Sequence, residues 1–158
     1  MIIVMFYRLN LPKLDLPQVW YTDKIQVESK KVPGYISYYV TEDVDKQVRS
    51  LFPEGFLPTK THVIAQIIDP RLNGQIHKDA RQYAINYTVN TGGLNAYTAS
   101  YSGDLEQTGS FVQQPGEWVL LNTFENHAVH DITDKRIGLS ISFYEFGDTQ
   151  WNWLNDKM

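Results

Sequence analysis

The chain has 158 residues, a formal net charge of −4, no cysteine, and a composition 42% hydrophobic and 20% charged. That length suits one domain able to bury its own core, and the missing cysteines exclude disulfides, thiolate metal sites and a cysteine nucleophile. With no basic cluster beyond Lys30-Lys31, bulk electrostatics give no reason to expect a nucleic-acid or anionic-membrane partner.

MIIVMFY, residues 1–7, is too short for a signal-peptide core or a membrane span. It is expected to form a first strand, and the protein to be soluble and cytoplasmic. LPKLDLPQ, 11–18, carries two prolines and reads as an extended connection. VPGYISYYV, 32–40, opens on a Pro-Gly turn and becomes strand-like. A helix is expected over about 42–51, packed over a sheet. Thr41 is its N-cap candidate, acidic residues fill its first turn, Val44, Val48 and Leu51 recur at helical spacing, and Pro53 stops it.

From 61 to 146 nearly everything reads as short strands: THVIAQII, QIHKD, YAINYTV, NAYTASY, GSFVQQ, EWVLLN, HAVHD and RIGLSISFYEF. NTGG, SGD, PGE and TDK punctuate them, a spacing typical of a sandwich or barrel. The expected fold is mainly β, a jelly roll, in a single domain over 1–158. Residues 1–60 form a strand-and-helix cover, 61–146 the core and 147–158 a tail. In the tail, Trp151 and Trp153 are expected on one face, covering the sheet edge.

His77-Lys78-Asp79 is the densest chemical knot. In a strand, His77 and Asp79 share a face, about 6.6 Å apart at their bases, and Lys78 points away. Alone this is a surface ion pair beside Lys78 and Arg81 as readily as part of a metal site. Two histidines and one carboxylate are the ligand set of mononuclear iron sites that keep positions open. His127 and His130 are the candidates for the third ligand, and strand parity places them on opposite faces. Arg136 shares its face with Gly138, Ser140 and Ser142, as a cavity-lining cation would, and its fork suits a carboxylate.

His77-x-Asp79, a distal His127 and Arg136 nine residues later resemble the Fe(II)/2-oxoglutarate-dependent dioxygenases, jelly-roll (double-stranded β-helix) enzymes. HKDARQYAINYTVN and LLNTFENHAVHDITDKRIGLSISF are similar to small prolyl-hydroxylase-like and aspartyl/asparaginyl-hydroxylase-like members. The resemblance implies Fe(II) on His77, Asp79 and His127, with 2-oxoglutarate and O₂ as cosubstrates. It further implies Arg136 on the far carboxylate of 2-oxoglutarate, with Asn86 and Ser140 as further contacts. The implied reaction is oxidative decarboxylation of 2-oxoglutarate to succinate and CO₂, coupled to hydroxylation of a small molecule or peptide. The sequence departs from the family at Gly138, where many members carry a hydroxyl, so Tyr87, Tyr97 or Thr98 is expected to supply one. The alternative from another class is a non-catalytic jelly-roll binding or structural module, since this fold hosts many functions.

Overall fold

The computed structural model describes residues 6–30 and 33–158. Ten strands are present among them: β1 (Phe6–Leu9), β2 (Tyr21–Glu28), β3 (Tyr35–Val40), β4 (Val63–Ile68), β5 (Tyr83–Asn90), β6 (Tyr97–Tyr101), β7 (Gln107–Phe111), β8 (Trp118–Asn122), β9 (Asn126–His130) and β10 (Arg136–Phe143). Helix α1 (Glu42–Arg49) follows β3 and helix α2 (Asp148–Leu154) follows β10. β1 is the described part of the expected first strand, and residues 1–5 and 32 of the expected strands lie outside the described residues.

The pairings are nested. β4 pairs with β10, His77 bridges His127 of β9, β5 pairs with β8, and β6 pairs with β7, all antiparallel. One long hairpin of eight segments, rolled so that β5 also pairs with β10 and β6 with β9, is a jelly roll. The larger sheet runs β1-β8-β5-β10-β4-β3-β2 and the smaller β7-β6-β9. β2 has no counterpart among the strands expected from sequence. Its polar, charged pattern YTDKIQVE suits a sheet edge, where charge discourages further pairing.

Period-two alternation sends the two faces of the larger sheet to opposite fates. Leu139 and Ile141 of β10, Ala65 of β4, Ile85 of β5 and Leu120 of β8 join one buried cluster outside the roll. Val44 and Val48 of α1, Phe52, Phe56 and Leu154 of α2 belong to the same cluster. Each large apolar side chain buried there contributes roughly 1.5–3 kcal/mol. The 11–18 segment lies on it too. Leu11, Leu14 and Leu16 pack against the cluster, the Trp118 indole donates to the Pro12 carbonyl at 2.9 Å, and the Leu14 amide donates to the Tyr87 hydroxyl at 3.2 Å. The main hydrophobic core is therefore the layer between sheet and cover, which frees the interior of the roll for polar groups.

Helix α2 corrects the reading of the tail. Gly147 is its N-cap residue, whose amide donates to Gln150 Oε1 at 2.9 Å. Helical geometry separates Trp151 and Trp153 by about 200° around the axis, so they do not share a face. Trp151 meets Tyr7, Tyr83 and Phe146, whereas Trp153 meets Phe52 and Phe56. Covering both of these aromatic groups is what a helix does here and a strand would not.

Candidate metal centre

His77 lies outside any regular strand, in an extended segment held by a single bridge. Its amide donates to the His127 carbonyl at 3.0 Å and the His127 amide returns the bond at 2.8 Å. Residues paired directly in this way project side chains to the same face, and the two imidazole centroids stand 4.4 Å apart. The register thus puts His127 beside His77. His130, three residues on, faces the outside of the smaller sheet, where its ring stacks on Tyr97 at 5.0 Å and bonds the Tyr101 hydroxyl.

The Asp79 amide donates to the Thr123 carbonyl at 2.8 Å, and Asp79 Oδ1 sits 3.6 Å from His77 Nε2. One ligand atom from each of His77, Asp79 and His127 falls within 4.8 Å of the others. The donor chemistry fits a divalent metal. His77 Nδ1 lies 2.9 Å from the Gln75 carbonyl and His127 Nδ1 lies 2.7 Å from the Glu125 carbonyl. A carbonyl only accepts, so both Nδ1 atoms carry a proton, and in the neutral ring Nε2 is then the nitrogen that can coordinate. Burial pushes the His127 pKa below its ordinary 6.5, helped by the neighbouring His77 and Arg81, while the Glu125 carbonyl and Asp79 act the other way. The neutral ring, which is the ligating form, is favoured.

Arg81 completes the carboxylate's surroundings. Its Nε donates to Asp79 Oδ2 at 2.8 Å, while Nη1 donates to Ser142 Oγ at 2.8 Å and Ser140 Oγ at 3.3 Å. One carboxylate oxygen is thereby occupied and Oδ1 is left toward the histidines. Sequence reasoning named Arg81 only as a neighbour of a possible surface ion pair. The missed signal is parity, because 77, 79 and 81 in an extended segment share one face.

The triad opens into a cavity of about 630 Å³ inside the roll, lined also by Arg81, Asn86, Thr98 and Arg136. The apolar part of its wall includes Ile64, Ile68, Leu121 and Val129. Arg136 is half-buried there and makes no ion pair among the described residues. Its one side-chain hydrogen bond among the described residues is from Nη1 to Thr98 Oγ1 at 3.3 Å. Burial lowers its pKa to about 10, which still leaves it charged at neutral pH.

Of the three hydroxyl candidates, Thr98 is the one against Arg136. Tyr87 faces the outer cluster and Tyr97 stacks on His130. Gly138 cannot help, because a Cβ there would lie 2.8 Å from the Tyr87 carbonyl oxygen, at a register shift between Ile137 and Gly138. Gly92, with φ of +81°, approaches Arg136 so closely that a Cβ would meet its amide nitrogen at 2.9 Å, so the turn before β10 depends on that glycine. Ser140 is fully buried and donates to Asn86 Oδ1 at 2.6 Å. It supports Asn86 and Arg81, with no hydrogen bond to Arg136. His62 is exposed but also lines the cavity, edge-on to Tyr39.

No protein-family model and no curated protein matches the sequence. Among solved structures, the chain is similar to Bacillus subtilis oxalate decarboxylase (13% identity, TM-score 0.45, covering 77% of this chain and 29% of that one). It is similar to vicilin from Corylus avellana, hazelnut (13% identity, TM-score 0.46, 77% and 31%). It is also similar to Streptomyces albus HEPD with 2-hydroxyethylphosphonate and Fe(II) bound (11% identity, TM-score 0.47, 85% and 26%). The chain spans less than a third of each of these proteins. None of the three is described as a 2-oxoglutarate enzyme. The nested strand pairing and the triad, taken from this chain's own geometry, define a jelly-roll protein with a candidate metal-binding site.

Proposed function

We propose that the protein is an Fe(II)- and 2-oxoglutarate-dependent dioxygenase that hydroxylates a substrate admitted to the roll. The observation that carries this reading is the pairing of two features in one cavity. A two-histidine, one-carboxylate triad faces it, and so does a half-buried arginine with no counter-ion among the described residues. A half-buried, uncompensated guanidinium is costly, and a ligand carboxylate would relieve that cost through two parallel hydrogen bonds. Since Arg136 donates to Thr98 Oγ1, the threonine's own proton is free for the same carboxylate.

When bound, iron supplies O₂ activation and the oxidising power for C–H hydroxylation. The chain's residues do the rest. His77 and His127 present Nε2 atoms whose rings are oriented by backbone carbonyls at Nδ1. Arg81 restrains Asp79 so that Oδ1 is the ligating oxygen, Arg136 and Thr98 orient the cosubstrate, and the apolar wall limits water. The three ligands leave coordination positions for the keto acid and O₂.

Anaerobic addition of Fe(II) and 2-oxoglutarate to metal-free protein tests the proposal through the visible charge-transfer band of the iron–keto acid chelate. The band is expected in the wild type, weakened at fixed 2-oxoglutarate in Arg136→Ala, and absent in Asp79→Ala. Folded wild-type protein without a band would return the molecule to the class of jelly-roll binding modules.

A further inference from the structure

We infer that the hydroxylation substrate is a small organic anion whose acid group is held by Lys60 and His62 at the cavity mouth, an inference that rests on the function proposed above. The chain as a whole is acidic, with 18 Asp and Glu against 14 Lys and Arg. The cavity reverses that balance: Lys60, Arg81 and Arg136 line it, and Asp79 is the one acidic residue among the described residues that do. Asp79 is engaged by Arg81. A divalent metal would add two positive charges, and 2-oxoglutarate would cancel only two. The filled site then still carries a surplus of positive charge, which favours an anionic second ligand.

Position separates this second charge from the cosubstrate site. Thr61 Oγ1 donates to the Ser142 carbonyl at 2.9 Å, which fixes Lys60 and His62 near the far end of β10 from Arg136. Positions 136 and 142 are six residue steps apart, about 20 Å along the strand. A five-carbon diacid cannot span that distance, so one 2-oxoglutarate does not use both ends. Arg81 bonds Ser142 and Asp79 alike, so the mouth lies at the triad's end of the strand. An acid group on Lys60 would leave the rest of a small molecule over the metal ligands.

The loop is also fixed in advance. Arg49 Nη2 donates to the Thr61 carbonyl at 2.7 Å, holding it from the α1 side. Lys60 makes no ion pair and His62 no hydrogen bond among the described residues, so both retain donors for a ligand. Tyr35, Gln66 and the exposed Tyr144 line the same cavity and offer further hydrogen bonds.

The test uses four probes of similar size: benzoate, phenyl phosphate, benzyl alcohol and benzylamine. Their affinities are measured by calorimetry on anaerobic protein loaded with Fe(II) and 2-oxoglutarate, and again on metal-free protein. At least one anion is expected to bind ten-fold or more tightly than the alcohol and the amine. Lys60→Glu, a substitution at an exposed side chain, should abolish the preference, and His62→Ala should weaken it. Stronger benzoate binding would assign a carboxylic acid substrate, and stronger phenyl phosphate binding a phosphate ester. Equal binding of anion and alcohol, or a preference that survives Lys60→Glu, overturns the inference. The charge-transfer band is read in the same samples. Its absence with the anion preference intact in metal-free protein would end the oxygenase proposal and keep the anion site.

Discussion

Replacing Arg136 with methionine should make the ligand-free protein more stable while removing its capacity for 2-oxoglutarate. Burial lowers the guanidinium pKa by more than two units, to about 10. At about 1.4 kcal/mol per pH unit, carrying the charge in the folded state costs about 3 kcal/mol. Methionine forfeits the 3.3 Å bond to Thr98, worth about 1 kcal/mol. The net expectation is a gain of about 2 kcal/mol, or roughly 4–8 °C in Tm for a chain of this size. The sign follows from linkage. A base whose pKa is depressed on folding penalises the folded state fully below the lowered value, and the penalty shrinks only as pH rises above about 10. Thermal melts at pH 7.5 without ligand, and with Fe(II) and 2-oxoglutarate under argon, check both halves. At a hundred times Kd the ligand should add about 2.7 kcal/mol to the wild type and nothing to Arg136→Met. A variant that melts several degrees below the wild type would refute the reasoning, because Arg136 would then be a structural strut.

Arg81→Met removes the charge-assisted bond that restrains Asp79, and Co(II) affinity measured by visible absorption should fall ten- to a hundred-fold; unchanged affinity would remove Arg81 from the site. Gly138→Ser, which restores a hydroxyl near Arg136 on paper, should destabilise by about 1–3 kcal/mol in urea melts, because its Cβ meets the Tyr87 carbonyl; a neutral effect would show that the strand can shift. His127 has its pKa lowered by burial, so the unfolded chain binds its proton more readily. Metal-free wild type should therefore lose stability as pH falls below about 6.5, and His127→Gln should flatten that part of the profile in paired urea titrations at pH 5.5 and 7.5.

Much of the roll is legible in the sequence because its strands obey a local rule. RIGLSISF alternates small or polar with large apolar side chains, and that alternation alone places Arg136 with Ser140 and Ser142 and opposite Leu139 and Ile141. The same rule gave His77 and Asp79 a common face, and it would have added Arg81 had it been carried two residues further. Helix α1 was visible from its acidic first turn and the spacing of Val44 and Val48. Helix α2 was not, because DTQWNWL is too short to show a helical period and its two tryptophans mimic a strand's alternation.

Parity by itself could separate His127 from His130 but not choose between them. That choice depends on register across 50 residues of chain, and the backbone exchange between His77 and His127 decides it. Thr98 likewise meets Arg136 only because the smaller sheet folds over the larger. The same closure gathers Lys60 and His62 into a cavity with a triad that comes from elsewhere in the chain. Local patterning, then, fixes which face each side chain takes. Which faces meet is set by strand pairing between segments far apart in sequence, and no local propensity encodes that.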